Sequence, residues 1–153
     1  MSSPTLVNEK SFTAQVYILD GDIKRPIRID DAGWLSVLNG SILPTTLWFA
    51  CYEENGQQTY LIKEHTNGAS SNGPALSLSA NDYLGLYKNA TRRWMVLKAD
   101  GSTLQKQDPA DVQVTIRTIG GRNWKVNDNF LKVREGTGSR IQLHILKWGV
   151  SQF

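Results

Sequence analysis

The sequence predicts an all-β domain of about twelve short strands, arranged as three copies of one four-stranded unit. Three observations predict it. One short segment recurs at thirds of the chain, turn-forming residues follow one another at roughly ten-residue intervals, and no apolar pattern of helical period persists over about eleven residues.

The recurring segments are Trp34-Leu35-Ser36-Val37-Leu38-Asn39-Gly40, Tyr83-Leu84-Gly85-Leu86-Tyr87-Lys88-Asn89 and Phe130-Leu131-Lys132-Val133-Arg134-Glu135-Gly136. Each reads aromatic, Leu, any residue, aliphatic, and the aromatic anchors stand 49 and 47 residues apart. Five, five and four residues before the anchors end the alternating pairs Ile27 and Ile29, Leu76 and Leu78, and Trp124 and Val126. Between pair and anchor lie Asp30-Asp31, Asn81-Asp82 and Asn127-Asp128-Asn129, whose short polar side chains bond their own backbone and tolerate left-handed dihedrals. A tight hairpin is expected in each copy.

Upstream strands are expected over Phe12 to Leu19, Tyr60 to Glu64 and Val112 to Thr118, and downstream strands over Leu47 to Tyr52, Trp94 to Lys98 and Gln142 to Lys147. Asn55-Gly56 and Asp100-Gly101 suit type I′ turns, while Trp148-Gly149 puts a tryptophan in the corresponding slot. The repeats then span residues 12–56, 57–105 and 110–149 of a single domain, 1–153. No copy of this size buries its apolar face alone, so the three must share a core, and the large rings at the anchors are its expected centre. Trp48, Trp94 and Trp124 are expected inside as well.

A chain of 153 residues can bury roughly 70% of the surface its unfolded form exposes. With 40% hydrophobic and 20% charged residues it reads as an ordinary globular domain without a membrane span. The 17 basic and 14 acidic residues are dispersed, which argues against a nucleic-acid partner. The single cysteine, Cys51, excludes an internal disulfide and sits in an apolar strand as a buried thiol. The first residues lack the basic and apolar regions of a secretory signal, so a cytoplasmic location is expected, with release by a non-classical route left open.

On these residues the threefold unit resembles the β-trefoil superfamily from about Phe12 to Trp148. Its Tyr-Leu-Gly-Leu element is similar to fascin-like repeats. Thr46-Leu47-Trp48 and Arg92-Arg93-Trp94 stand where ricin-type lectins carry a Gln-any-Trp motif, without the leading Gln, and Arg140-Ile141-Gln142 lacks the Trp.

Little in the sequence looks catalytic. His65 and His144 fall at non-equivalent places, and no metalloprotease, phosphate-loop or nucleophile-elbow motif occurs. Adjacent carboxylates, Asp30-Asp31 and Glu53-Glu54, lie at expected turns and project to opposite faces of a strand. No catalytic residue, metal or cofactor is expected. A trefoil instead displays loops, and sugar recognition needs Asp or Asn for hydroxyls beside an exposed ring for the C–H face.

The leading expectation is therefore a soluble lectin that binds a glycan or glycoprotein. Its candidate ligand residues are Asp30, Asp31, Asn81, Asp82, Tyr87, Arg92, Arg93, Asn127, Asp128 and Trp148. The second repeat is favoured because Tyr87 breaks the repeat pattern on the outward face and a long polar loop runs from His65 to Pro74. Trp148 reads equally as a stacking platform or as a cover for the seam between the chain ends. Two other readings stay open: a protease inhibitor acting through Asn67 to Pro74 or through Gly101 to Pro109 with Lys106, and an actin-binding or other protein-binding module. Self-association as a homodimer is also left open.

Overall fold

Alternation along Phe12–Asp20 puts Phe12, Ala14, Val16 and Ile18 on one face of a strand, and all four are buried. A computed structural model describes residues 4–65 and 73–151, and the same logic recurs through them. The strands are β1 (Thr5–Leu6), β2 (Phe12–Asp20), β3 (Ile23–Ile29), β4 (Leu35–Val37), β5 (Thr46–Glu54), β6 (Gln57–Glu64) and β7 (Ala75–Leu78). They continue as β8 (Leu84–Tyr87), β9 (Trp94–Lys98), β10 (Asp111–Thr118), β11 (Asn123–Asn127), β12 (Phe130–Arg134) and β13 (Arg140–Trp148). The chain is all-β: among the described residues the only helical element is a single 3₁₀ turn, Asn8–Lys10. None of their helices is long and apolar enough to cross a membrane.

Antiparallel pairing runs β2 to β5, β5 to β6, β6 to β9, β9 to β10, β10 to β13 and β13 back to β2, so these six strands close on themselves. Closure satisfies the backbone groups that a free edge would expose. The closing pair, β13 with β2, is in register from Arg140 opposite Leu19 to Trp148 opposite Phe12, with one irregularity between Ile145 and Lys147. At the β5–β6 hairpin Asn55 and Gly56 both adopt positive φ, 53° and 78°, as the type I′ turn requires.

Of the remaining strands, β1 pairs with β5 and the other six form three hairpins, β3–β4, β7–β8 and β11–β12. One contact joins them in a cycle. Trp34 bridges Gly85, Tyr83 bridges Lys132, and Phe130 pairs with Ser36. The hydrogen bonds repeat too: Leu86 N donates to Gly33 O at 2.8 Å, Val133 N to Asp82 O at 3.1 Å and Val37 N to Asn129 O at 2.8 Å. In all three the donor stands three residues after an anchor and the acceptor one residue before the anchor of the neighbouring unit.

The core differs from expectation at one position in each repeat. Leu35, Leu84 and Leu131, one residue after the anchors, are fully buried, whereas Trp34 and Tyr83 are half-buried and Phe130 is 39% exposed. Neighbours on a strand face opposite ways, so only one of each pair can point inward, and the leucines take the inner face. Trp48, Trp94 and Trp124 are buried as expected; Trp94 and Trp124 meet edge to face at 5.6 Å, and Phe12 stacks on Phe49 at 4.8 Å. Each large apolar side chain taken wholly inside contributes about 1.5–3 kcal/mol. Trp148 closes β13 instead of occupying a turn, with its ring 4.9 Å from Phe12. There Gly149 N donates to Ser11 O at 2.8 Å and Trp48 Nε1 to Val150 O at 2.8 Å, so both chain ends pack at this seam.

Candidate functional site

With the leucines turned inward, the three anchor rings are forced onto one outer surface. Trp34, Tyr83 and Phe130 line a single depression of about 410 Å³ together with Ser79 and Asn81. The hairpin turns set the rings there. Asp30 Oδ1 accepts from Ala32 N at 3.0 Å and Trp34 N at 2.9 Å, and Asp30 N donates to Trp34 O at 2.9 Å. Ser79 does the same in the second unit: its Oγ accepts from Asn81 N at 3.2 Å and Tyr83 N at 3.1 Å, and its own N donates to Tyr83 O at 2.9 Å. The third hairpin is one residue shorter, with Asn127 opposite Phe130 and Asp128 at φ 57°, a conformation that Asp accepts more readily than most residues.

Contacts between units hold the rings further. Asn127 Nδ2 donates to Tyr83 Oη at 2.7 Å, and Lys132 Nζ stands 5.0 Å from the centre of the Tyr83 ring. Tyr87 meets Trp34 edge to face at 6.4 Å, so the ring expected to project outward lies half-buried beside an anchor. Gly85 lies close against Trp34, where an added Cβ would come within 3.0 Å of the indole.

The expected site residues fall into four places. Asn81 lines the depression, Asn127 and Tyr87 brace its rings, and Asp30 spends its Oδ1 on backbone amides while its Oδ2 accepts from Ser36 Oγ at 3.3 Å. Asp31 and Asp128 are exposed in their turns, and Asp82, at φ 68°, pairs with Arg122 at 3.1 Å. Arg92 and Arg93 line a separate polar cleft, and Trp148 lines a recess with Lys10 and Leu104 at the seam of the chain ends. Sequence reasoning missed Ser79 and the outward face of the rings. The signal for Ser79 was its position four residues before Tyr83, matching Asp30 before Trp34.

Other reactive groups stand apart from this surface. Burial pushes the Cys51 thiol up to about 11, and it also raises the neighbouring Tyr60 hydroxyl. His144 Nδ1 lies 2.7 Å from Asp111 Oδ1 across β13 and β10. Among the described residues no three His, Cys, Asp or Glu side chains gather as a metal site. Lys106 is exposed within a turn closed by Asp108, whose Oδ2 accepts from Gln105 N at 2.7 Å and whose N donates to Gln105 O at 2.9 Å. Most of the other loop expected to act on a protease, residues 67–72, lies outside the described residues.

No protein-family model matches the sequence. None of the curated proteins matches it either.

Proposed function

We propose that the chain is a β-trefoil and a carbohydrate-binding module, a lectin and not an enzyme, whose site is the depression between Trp34, Tyr83 and Phe130. Support for the topology comes from the closed ring of six strands and the cyclic bridges among three equivalent hairpins. The reading of function is carried by one observation: a large ring from each repeat stands around one open concavity instead of packing inside.

Leaving such rings partly in water forgoes burial worth about 1.5–3 kcal/mol for each when complete, and grouped exposed apolar surface marks a binding face. A pyranose offers what this face can use. Its C–H face covers an aromatic ring, and its hydroxyls match the Asn81 amide, the Tyr83 hydroxyl and the Ser79 hydroxyl. The volume lies near the lower end of the range for small-molecule sites, about 300–1,000 Å³.

The test is a glycan array with the purified chain, followed by a fluorescence titration of the best hit. Binding that disappears in Trp34→Ala and Phe130→Ala, with thermal unfolding still cooperative, is the expected result. Absence of binding to every glycan by the folded protein removes the reading. So does concentration-dependent dimerisation abolished by the same two substitutions, because the rings would then face a second copy.

A further inference from the structure

A second cleft, of about 640 Å³ and lined by none of the three anchor rings, lies between the segment 89–93 and the β10–β11 turn. Three arginines, Arg92, Arg93 and Arg122, contribute to its wall with the polar side chains of Ser77, Asn89 and Thr91, and no carboxylate lines it. Like charges gather in one concavity at a cost in repulsion, so an arrangement of this kind raises the local concentration of anions. Two of the three guanidinium groups are held in place by aromatic rings. The Arg92 guanidinium lies 6.0 Å from the Trp94 ring and its Nε donates to Ser77 Oγ at 3.4 Å, while that of Arg93 lies 5.9 Å from the Tyr52 ring. A guanidinium resting over a ring face keeps its donor fork available and loses less freedom when it binds. Arg122 is anchored from outside the cleft by Asp82, at 3.1 Å.

We propose that this cleft binds a tetrahedral oxyanion, phosphate or sulfate, free or as the monoester of a sugar. Planar guanidinium forks match such oxygens bidentately, and the hydroxyl of Thr91 and the amide of Asn89 add neutral donors at the same wall. A nucleic-acid backbone fits less well, since it calls for a basic track along many phosphates, whereas the 17 basic residues of this chain are dispersed. The site does not depend on the depression between the anchor rings, with which it shares no lining residue.

Calorimetric titration of the full chain at low salt with inorganic phosphate, inorganic sulfate, glucose 6-phosphate, glucose 6-sulfate and glucose tests the assignment. At least one of the four anions binds, its affinity falls as salt is added, and glucose does not compete. Inorganic ions binding as well as the esters identify the free anion as the ligand, and tighter ester binding identifies the acidic sugar. Substituting Arg92→Ala and Arg93→Ala together lowers the affinity by about tenfold or more, and the double lysine substitution restores part of it. Trp34→Ala leaves it unchanged. Amide shifts mapped on the unsubstituted protein move at Asn89–Arg93 and Thr118–Arg122, which keeps the test open if the double substitution unfolds the chain. Binding by none of the anions, binding indifferent to both arginines, or tighter binding of a single-stranded oligonucleotide overturns the proposal.

Discussion

Asn127 Nδ2 and Tyr83 Oη lie 2.7 Å apart, joining the turn of the third hairpin to the anchor ring of the second across 44 residues of sequence. The bond fixes the Tyr83 ring against rotation out of the depression and leaves its hydroxyl hydrogen free to donate to a ligand. Asn127→Ala should lower stability by about 1 kcal/mol and weaken the proposed carbohydrate binding several-fold. Tyr83→Phe should cost similar affinity with the ring still in place. Thermal unfolding and titration of both variants check this; full affinity in Asn127→Ala would show that the bond does not position the ring.

Phe130 and Leu131 are neighbours with opposite fates, and their alanine variants should differ accordingly. Leu131 is fully buried, so Leu131→Ala should cost about 2–5 kcal/mol, the range for a cavity in a close-packed core. Phe130 is 39% exposed, and Phe130→Ala should cost about 1 kcal/mol while removing the proposed ligand binding. Denaturant unfolding of the pair decides which residue belongs to the core, and a larger loss at Phe130 would reverse the assignment.

That pair also shows what the sequence could and could not reveal. The periodicity located the three hairpins and their turns, because alternation and Asp or Asn placement are local properties that the backbone obeys directly. The expected strands all formed: β9 has the expected bounds, and the other five extend them by one to three residues at an end. The inward face was misread because ring size suggested burial, yet alternation allows only one of two adjacent apolar residues inside. One clue was present. Leu recurs unchanged at all three positions while the ring varies among Trp, Tyr and Phe, as suits a fixed volume near the axis and an open mouth that accepts different rings. The seam at Trp148 arises from contacts between the chain ends, and the short strand β1 and the 3₁₀ turn from contacts with β5, and no local pattern encodes either.

Gly85 has a steric role that its turn-free strand position does not suggest. A Cβ there would lie 3.0 Å from Trp34 Cε3 and 3.2 Å from Gly33 O, so Gly85→Ala must displace the indole or the backbone beside it. We expect a loss of about 1–3 kcal/mol, as for other overpacked sites, with a shift in tryptophan emission and a weakening of the proposed carbohydrate binding. Ser36 and Lys132 hold the equivalent positions in the other units, so the second unit alone brings a glycine against the neighbouring ring. Unchanged emission and affinity in Gly85→Ala would mean that Trp34 does not rest on this residue.

Cys51 should be inert in the folded protein. Its thiol is pushed up from 9.0 to about 11, first by burial and then by Glu53, so little thiolate exists near neutral pH. The folded value lies above the unfolded one, so the stability this group contributes is present below pH 9 and is lost as pH rises through about 11. A disulfide reagent at pH 8 should modify the native protein no faster than it unfolds, and immediately in denaturant. Rapid stoichiometric labelling without denaturant would contradict the burial of β5.

Asp108 should make the Lys106 turn sensitive to acid. The Gln105 amide donates to its carboxylate at 2.7 Å, the largest influence, and together with Lys98 Nζ at 3.0 Å it outweighs burial and the Asp100 charge and holds the carboxyl below its ordinary 3.8. A depressed folded value means that the contribution to stability is present above pH 3.8 and disappears as pH falls through the folded value below it. The Gln105 amide proton should therefore shift in NMR spectra with a midpoint below pH 3.8, as its acceptor is protonated. In Asp108→Asn the side-chain oxygen can still accept from Gln105, but the ion pair with Lys98 is gone and the acid transition at this amide should vanish. A transition of the same size in the variant would assign the effect to another carboxylate and leave the turn closed by backbone bonds alone.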